Sequence, residues 1–105
     1  MQDSAMRLNE DEIESIKTLA NRHFGKDVQV FLFGSRTINQ LRGGDIDLFI
    51  KNPHNDRLEI RSKINFITDL ILLIGDQKID VVLDNPAIRN SVFFKTIQQN
   101  GIQLC

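Results

Sequence analysis

Two aspartates one residue apart, Asp45 and Asp47, have the spacing in this sequence that best suits chemistry. They open an apolar run, although aspartate is depleted in strands. In a strand the side chains at positions i and i+2 point to the same face, while the alternating Ile46, Leu48 and Ile50 point to the opposite face and can be buried. The sequence therefore predicts two carboxylates held side by side on a rigid strand.

A pair of adjacent carboxylates needs a cation nearby, because each negative charge disfavours ionisation of the other. Carboxylate oxygens are hard ligands that suit Mg²⁺ or Mn²⁺, and the stretch around Asp45 and Asp47 contains no histidine or cysteine to favour zinc. We expect these two residues to hold a divalent metal ion.

The apolar run 31–33 ends at Gly34 and Ser35, which are followed by Arg36. A glycine directly after a strand lets backbone N–H groups approach a phosphate closely, and the start of a helix adds a partial positive charge. A Gly-Ser pair alone is a common turn with no ligand. Beside the paired aspartates, however, it predicts a phosphate-binding turn.

A third carboxylate, Asp80, lies in the later apolar run 78–83. By strand alternation it faces away from the apolar residues of that run, so it would stand next to Asp45 and Asp47 if the two strands pair. Asp84 has the same parity but follows the apolar run, and we expect it to be a turn residue.

Hydrophobic periodicity predicts the elements that position these residues. In chain order they are a helix over 10–24, strands over 28–33 and 45–51, a helix over 56–74, a strand over 78–83, a helix over 87–99, and an apolar tail over 102–104 that packs as an edge or cover. This mixture indicates an α+β fold. We expect the 105 residues to form one small domain, residues 1–105, with residues 1–8 as a flexible lead-in.

The second half of the helix predicted over 56–74 is apolar on almost all sides, and a helix that is apolar on most sides is buried on most sides. An isoleucine stripe is widened by other large side chains: Ile60, Ile64, Ile67, Ile71, Ile74, Phe66, Leu70, Leu72 and Leu73. This excess indicates either contact with another chain or coverage by the last helix. The residues of the last helix expected to face inward are Ile88, Val92, Phe93 and Ile97.

Charge and cysteine content argue against several function classes. The net charge is −1 with a pI near 6.1, so there is no surplus of Lys and Arg to neutralise a nucleic-acid backbone, and nucleic-acid binding is disfavoured. The lone cysteine, Cys105, forms no intrachain disulfide, which fits a reducing compartment. The sequence shows neither a signal-peptide pattern nor an apolar run of membrane-spanning length. We expect a cytoplasmic protein with no membrane association.

The combination of Gly34-Ser35, nine spacer residues, Asp45-x-Asp47 and a later strand aspartate resembles the motif of the nucleotidyltransferase superfamily that includes DNA polymerase beta and kanamycin nucleotidyltransferase. The chain most resembles the smallest members, the minimal nucleotidyltransferases of the antitoxin type, and the likeness spans roughly residues 10–104. The resemblance implies the nucleotidyltransferase fold, a small mixed sheet of three to four strands with helices packed on one side.

The resemblance also implies an activity and a site. The implied residues are Asp45, Asp47 and Asp80 for catalysis and metal binding, and Gly34, Ser35 and Arg36 for nucleotide binding. They would transfer a nucleoside monophosphate, in the first place AMP from ATP, to an acceptor hydroxyl, with two Mg²⁺ ions as cofactors. The implied acceptor is a partner protein, such as a small helical toxin of the HEPN type, so that the chain acts as an antitoxin in a homo- or hetero-oligomer.

Two other functions remain open from the sequence. A catalytically idle module could neutralise a partner by binding alone, but a site without chemistry has no reason to keep costly clustered anions. Modification of an antibiotic or another small molecule fits less well, because related enzymes enclose the acceptor with an additional domain or a dimer.

Overall fold

The computed structural model describes residues 8–33, 46–54, 58–89 and 91–105. Its elements, in chain order, are helix α1 (Glu10–Phe24), strand β1 (Gln29–Phe33), strand β2 (Ile46–Lys51), helix α2 (Ile60–Ile74), strand β3 (Ile79–Leu83), a short 3₁₀ helix (Pro86–Ile88), helix α3 (Val92–Asn100) and strand β4 (Ile102–Gln103). None of the helices within these ranges is both long enough and apolar enough to cross a membrane.

The described strands form a four-stranded sheet in the order β3-β2-β1-β4. Strand β1 is antiparallel to both β2 and β4, whereas β2 and β3 are parallel. Parallel neighbours need a crossover connection, which here contains α2. The predicted α+β class and mixed sheet are confirmed, and the apolar tail forms the edge strand β4.

Helices α1 and α2 cover the face of the sheet that carries Leu32, Leu48 and Val81, and the main apolar core lies between them. The helix residues buried in this core are Ile16, Leu19, Ala20 and Phe24 from α1, and Phe66 and Leu70 from α2. Because side chains alternate along each strand, the aspartates of β2 and β3 belong to the opposite face.

Helix α3 lies on that opposite face. Phe93 of α3 packs edge-on against Phe33 of β1, with ring centroids 5.3 Å apart, and against Phe49 of β2 at 6.3 Å. The expectation that the helices pack on one side therefore holds for α1 and α2 and is wrong for α3. The physical reason is Phe49, a large apolar side chain on the carboxylate-bearing face of β2, which is only 1% exposed beneath α3.

Helix α1 begins and ends at the predicted residues. The Asn9 side chain accepts a hydrogen bond from the Glu12 N–H (2.8 Å), and the Glu12 carboxylate accepts one from the Asn9 N–H (3.1 Å), which forms a capping box. Leu8 is buried in the core, and Ile13 packs against the core. The predicted flexible lead-in is therefore wrong at Leu8, because its apolar side chain is 3% exposed and belongs to the core. Residues 1–7 lie outside the described chain.

Helix α2 begins later than predicted, at Ile60, after the N-cap residue Glu59, whose side chain makes no capping hydrogen bond. Asp56, at which the helix was predicted to begin, lies outside the described residues. The fully buried positions of α2 are Phe66 and Leu70, whereas the isoleucine stripe is only partly covered and Ile60 is 70% exposed.

The last predicted helix is interrupted. After the 3₁₀ helix the chain turns, and α3 begins at Val92 with Ser91 as its cap, whose hydroxyl accepts a hydrogen bond from the Phe94 N–H at 3.1 Å. The interruption changes the phase of the apolar pattern. Val92, predicted to face inward, is 80% exposed, while Ile97 is buried as predicted.

Candidate active site

The register of β2 and β3 brings two of the three predicted carboxylates together. Asp47 and Asp80 are direct partners across these parallel strands, and neighbouring strands lie about 4.8 Å apart. Both side chains point to the same face, because Leu48 and Val81, the residues that follow them, lie in the core on the other face. The strand pairing on which the prediction for Asp80 depended is present.

Four predicted site residues lie outside the described residues: Gly34, Ser35, Arg36 and Asp45. The chain on either side of them is described. Phe33, which directly precedes Gly34, is the partner of Asp47 across β1 and β2. Ile46, which directly follows Asp45, is the first residue of β2. Both described residues that border residues 34–45, Phe33 and Ile46, are therefore neighbours of Asp47. The roles of the four predicted residues stay predictions.

The carboxylate pair has the donor chemistry of a magnesium site. Asp80 is exposed and Asp47 is partly buried, and like charges directly opposite each other on neighbouring strands are destabilising unless a cation joins them. Their oxygens are the hard donors that Mg²⁺ takes. Within the described ranges no three His, Cys, Asp or Glu residues form a group that could hold a metal ion, and Asp45, the third predicted ligand, lies outside those ranges.

Asp84 has different surroundings at the other end of β3. It is 5% exposed, and its carboxylate accepts hydrogen bonds from the Arg89 guanidinium at 2.9 Å and 3.4 Å. Its N–H donates to the Ile50 carbonyl at 2.8 Å. The sequence predicted only a turn residue and missed this burial; Arg89, five positions later, was the available signal. About 13 Å of strand separates Asp84 from Asp80, so Asp84 is a structural residue.

Each of the two histidines lies close to an aspartate that is distant in sequence. The Nε2 atom of His23 lies 2.8 Å from Asp69 Oδ2 and joins α1 to α2 on the face opposite the carboxylate pair. His54 is exposed, and its Nε2 lies 3.7 Å from Asp27 Oδ2. The sequence could not reveal the partner of His23, which lies 46 positions away.

A family profile described as a nucleotidyltransferase domain matches residues 13–102, which include the three strands that bear or adjoin the carboxylate pair. The chain belongs to the nucleotidyltransferase domain family. The resemblance seen in the sequence motif is thereby confirmed at the level of the family. Asp47 and Asp80 form a carboxylate pair inside a nucleotidyltransferase domain.

Solved structures share the fold. A crystal structure of the toxin–antitoxin MntA–HepT matches with a TM-score of 0.63 at 20% sequence identity, covering 92% of this chain and 72% of that chain. A crystal structure of a mutant of that toxin–antitoxin matches with a TM-score of 0.64 at 23% identity, covering 93% and 73%. No curated protein matches the sequence.

Proposed function

We propose that this nucleotidyltransferase domain transfers a nucleoside monophosphate, AMP from ATP, to a hydroxyl group of a partner protein, with Mg²⁺ as cofactor. The observation that carries the proposal is the direct pairing of Asp47 with Asp80 inside a domain of this family. Such a pair is repulsive by itself. Its presence on neighbouring strands favours a metal-dependent reaction over a purely structural role.

In the proposed reaction the acceptor oxygen forms a bond to the α-phosphorus of the triphosphate. The bond between that phosphorus and the oxygen bridging to the β-phosphate breaks, and pyrophosphate leaves. The proton of the acceptor hydroxyl passes to the carboxylate of Asp80, which acts as general base. Asp80 suits this role because it is exposed on an edge strand, where an acceptor can approach it.

The remaining predicted residues complete this site. Asp47, together with Asp45 and Asp80, would hold two Mg²⁺ ions. Bound Mg²⁺ supplies charge neutralisation of the triphosphate and a lower pKa of the attacking hydroxyl. The residues proposed to bind the β- and γ-phosphates and to offset charge on the leaving pyrophosphate are Gly34, Ser35 and Arg36.

The similar structures support a protein acceptor. Both are of a toxin–antitoxin, and the mutant carries two aspartates, two positions apart, replaced by glutamates. Asp45 and Asp47 have the same spacing. We therefore propose that the chain acts as an antitoxin on a small helical toxin of the HEPN type.

Helix α2 offers a surface for such a partner. Leu72 and Leu73 are 78% and 61% exposed. With Thr18, Arg22 and Asp69 they line a shallow groove of about 260 Å³ between α1 and α2. Helix α2 also packs against β3, the edge strand that carries the proposed general base. We propose that a partner seated on α2 also reaches around this edge to the carboxylates.

The position of the label in ATP tests the reaction type. We expect the protein, incubated with Mg²⁺ and the product of the adjacent gene, to transfer label from the α-phosphate of ATP and none from the γ-phosphate, because pyrophosphate leaves. Asp47→Asn, which removes a ligand charge at nearly constant volume, should lower the rate about 100-fold or more, since metal charge stabilisation is worth several kcal/mol. Transfer of γ-label, or full activity of Asp47→Asn, would contradict the proposal.

The binding alternative gives a different result in the same experiment. An idle antitoxin would bind the partner tightly, transfer no label and bind equally well as Asp47→Asn. That outcome would show that the protein acts by binding its partner and not as an enzyme.

Substitution of an exposed leucine tests the partner surface. Leu72→Glu places a charge on α2 without touching the core, and we expect it to weaken partner binding by at least about tenfold if this surface holds an interface hot spot. Val92→Glu is the matched control, because Val92 is an equally exposed apolar residue on α3. Equal binding by both variants in a titration with the partner would exclude the α2 surface.

A further inference from the structure

A cluster of phenylalanines lies on the same face of the sheet as the carboxylate pair. Phe49 is its fully buried centre, with Phe93 and Phe94 of α3 packed against it at centroid distances of 6.3 Å and 5.9 Å. Phe33 joins the cluster through its edge-on contact with Phe93 at 5.3 Å. The cluster therefore extends from the interior beneath α3 to the end of β1.

The members of the cluster differ in position relative to the carboxylates. Phe33 is the direct strand partner of Asp47, and side chains of such partners have Cβ atoms about 4.5–5.5 Å apart. Phe33 and Phe93 are both partly exposed. Phe94 lies on the other side of the cluster, where its ring contacts the Lys51 ammonium at 5.8 Å. One edge of the cluster, Phe33 with Phe93, thus adjoins the carboxylate pair.

We propose that Phe33 and Phe93 form the surface against which the base of the bound nucleoside triphosphate packs, an inference that rests on the proposed nucleotidyl transfer. In the proposed reaction the α-phosphate lies at the carboxylate pair. The apolar surface beside this pair is formed by the rings of Phe33 and Phe93. Aromatic side chains bind bases through stacking and edge contacts, which add to the affinity from phosphates and metal.

This arrangement has a consequence for base specificity. Every nucleobase has an apolar π-face, so contact with phenylalanine rings is tolerant of base identity. The pair Phe33 and Phe93 contributes no hydrogen-bonding group, since neither side chain has a polar atom. We expect them to contribute affinity for adenine and guanine nucleotides alike.

The experiment compares a ligand that has a base with one that lacks it. A non-hydrolysable ATP analogue and inorganic tripolyphosphate are titrated in Mg²⁺ into the wild type, Phe33→Leu, Phe93→Leu and the control Phe94→Leu. Phe93 and Phe94 are neighbours on one helix and both contact Phe49, so their leucine variants lose similar packing. Circular dichroism checks that each variant is folded.

We expect Phe33→Leu and Phe93→Leu to bind the ATP analogue about tenfold more weakly, the scale of one lost base–aromatic contact, and to bind tripolyphosphate as the wild type does. Phe94→Leu should bind both ligands unchanged. Unchanged affinity of both folded variants for the ATP analogue, or an equal loss for both ligands, would overturn the role of Phe33 and Phe93 while leaving nucleotidyl transfer standing. A wild type that binds neither ligand would overturn the proposed function and this inference together.

Discussion

At the residue scale, β3 and its end carry two aspartates of the same parity with opposite surroundings. Asp80 is exposed and lies opposite Asp47 across neighbouring strands. Asp84 is buried and accepts two hydrogen bonds from Arg89. Two like charges on neighbouring strands repel each other, whereas a carboxylate beside a guanidinium is stabilised. The two residues should therefore respond in opposite ways when their charges are removed.

We predict that, without divalent metal, Asp80→Asn raises the free energy of unfolding by about 0.2–1 kcal/mol because it removes the repulsion from Asp47. Asp84→Asn should lower it by about 1–3 kcal/mol, since the buried carboxylate loses the charge that its hydrogen bonds with Arg89 compensate. Urea denaturation in EDTA measures both values. If Asp80→Asn were as destabilising as Asp84→Asn, the carboxylate of Asp80 would be a structural residue.

Cys105 gives a prediction with a pH dependence. Burial raises the pKa of its thiol, and a backbone hydrogen bond at Val30 and the charge of Lys17 oppose this only in part. A raised pKa means less thiolate at a given pH, so we expect alkylation by iodoacetamide at pH 8 to be slower in the folded protein than in urea, and to accelerate as pH rises. Equal rates in the folded and unfolded chain would show that the thiol is unprotected.

Strand alternation predicted that Asp80 faces away from the apolar residues of its strand, and the structure places it beside Asp47. The other predicted site residues lie outside the described residues: Gly34, Ser35, Arg36 and Asp45. The sequence could not predict the burial of Asp84 beside Arg89. That pairing depends on where the turn after β3 directs the chain, which local pattern does not encode. The aromatic edge at Phe33 was also missed, because its partner lies 60 residues later, on α3.

At the element scale, one junction fixes the end of β2 to the end of α1. The side chain of Asn52, which is buried directly after β2, donates to the Phe24 carbonyl at 2.8 Å and accepts from the His54 N–H at 2.8 Å. Gly25, with φ +100°, lets the chain leave α1 beside it, and a Cβ there would lie 3.0 Å from the Asn52 amide nitrogen. This junction orients the strand that carries Asp47.

Two glycines form a matched pair that tests the junction. Gly25 and Gly75 both follow a helix with φ near +100°, but a Cβ at Gly75 would meet no atom within 4 Å. Backbone strain should lower the free energy of unfolding of each Gly→Ala variant by about 1–3 kcal/mol. The decrease should be larger for Gly25→Ala, because its added Cβ also meets the Asn52 side chain. Thermal unfolding of the two variants measures the difference. Equal decreases in stability would show that the Asn52 side chain moves aside without destabilising the protein.

The helices show where periodicity stops being informative. Helix α2 has apolar residues on more than one side, so the sequence does not show which side faces the sheet. In the structure Phe66 and Leu70 face the core, while Ile60 and Leu72 are exposed. On the last helix, the break after the 3₁₀ turn reset the phase and turned Val92 outward. In both cases the choice is made by packing partners distant in sequence, which the local pattern does not contain.

At the scale of the whole molecule, the sheet separates the main core from the candidate active site. One face holds the main core beneath α1 and α2, and the other holds Asp47 and Asp80 beside the phenylalanine cluster under α3. The parallel crossover through α2 is what aligns the aspartates of β2 and β3. The family resemblance predicted a small mixed sheet, whereas the strand order and the position of α3 came only from the structure.

The most direct test measures metal-dependent nucleotide binding by calorimetry. A non-hydrolysable ATP analogue is titrated into the wild type, Asp47→Asn and Asp80→Asn, each with Mg²⁺ and with EDTA. We predict binding by the wild type that requires Mg²⁺, and a loss of at least about tenfold in each variant, because a ligand of the metal has been removed. Binding that is equally tight in EDTA, or unchanged in both variants, would contradict a metal site formed by Asp47 and Asp80.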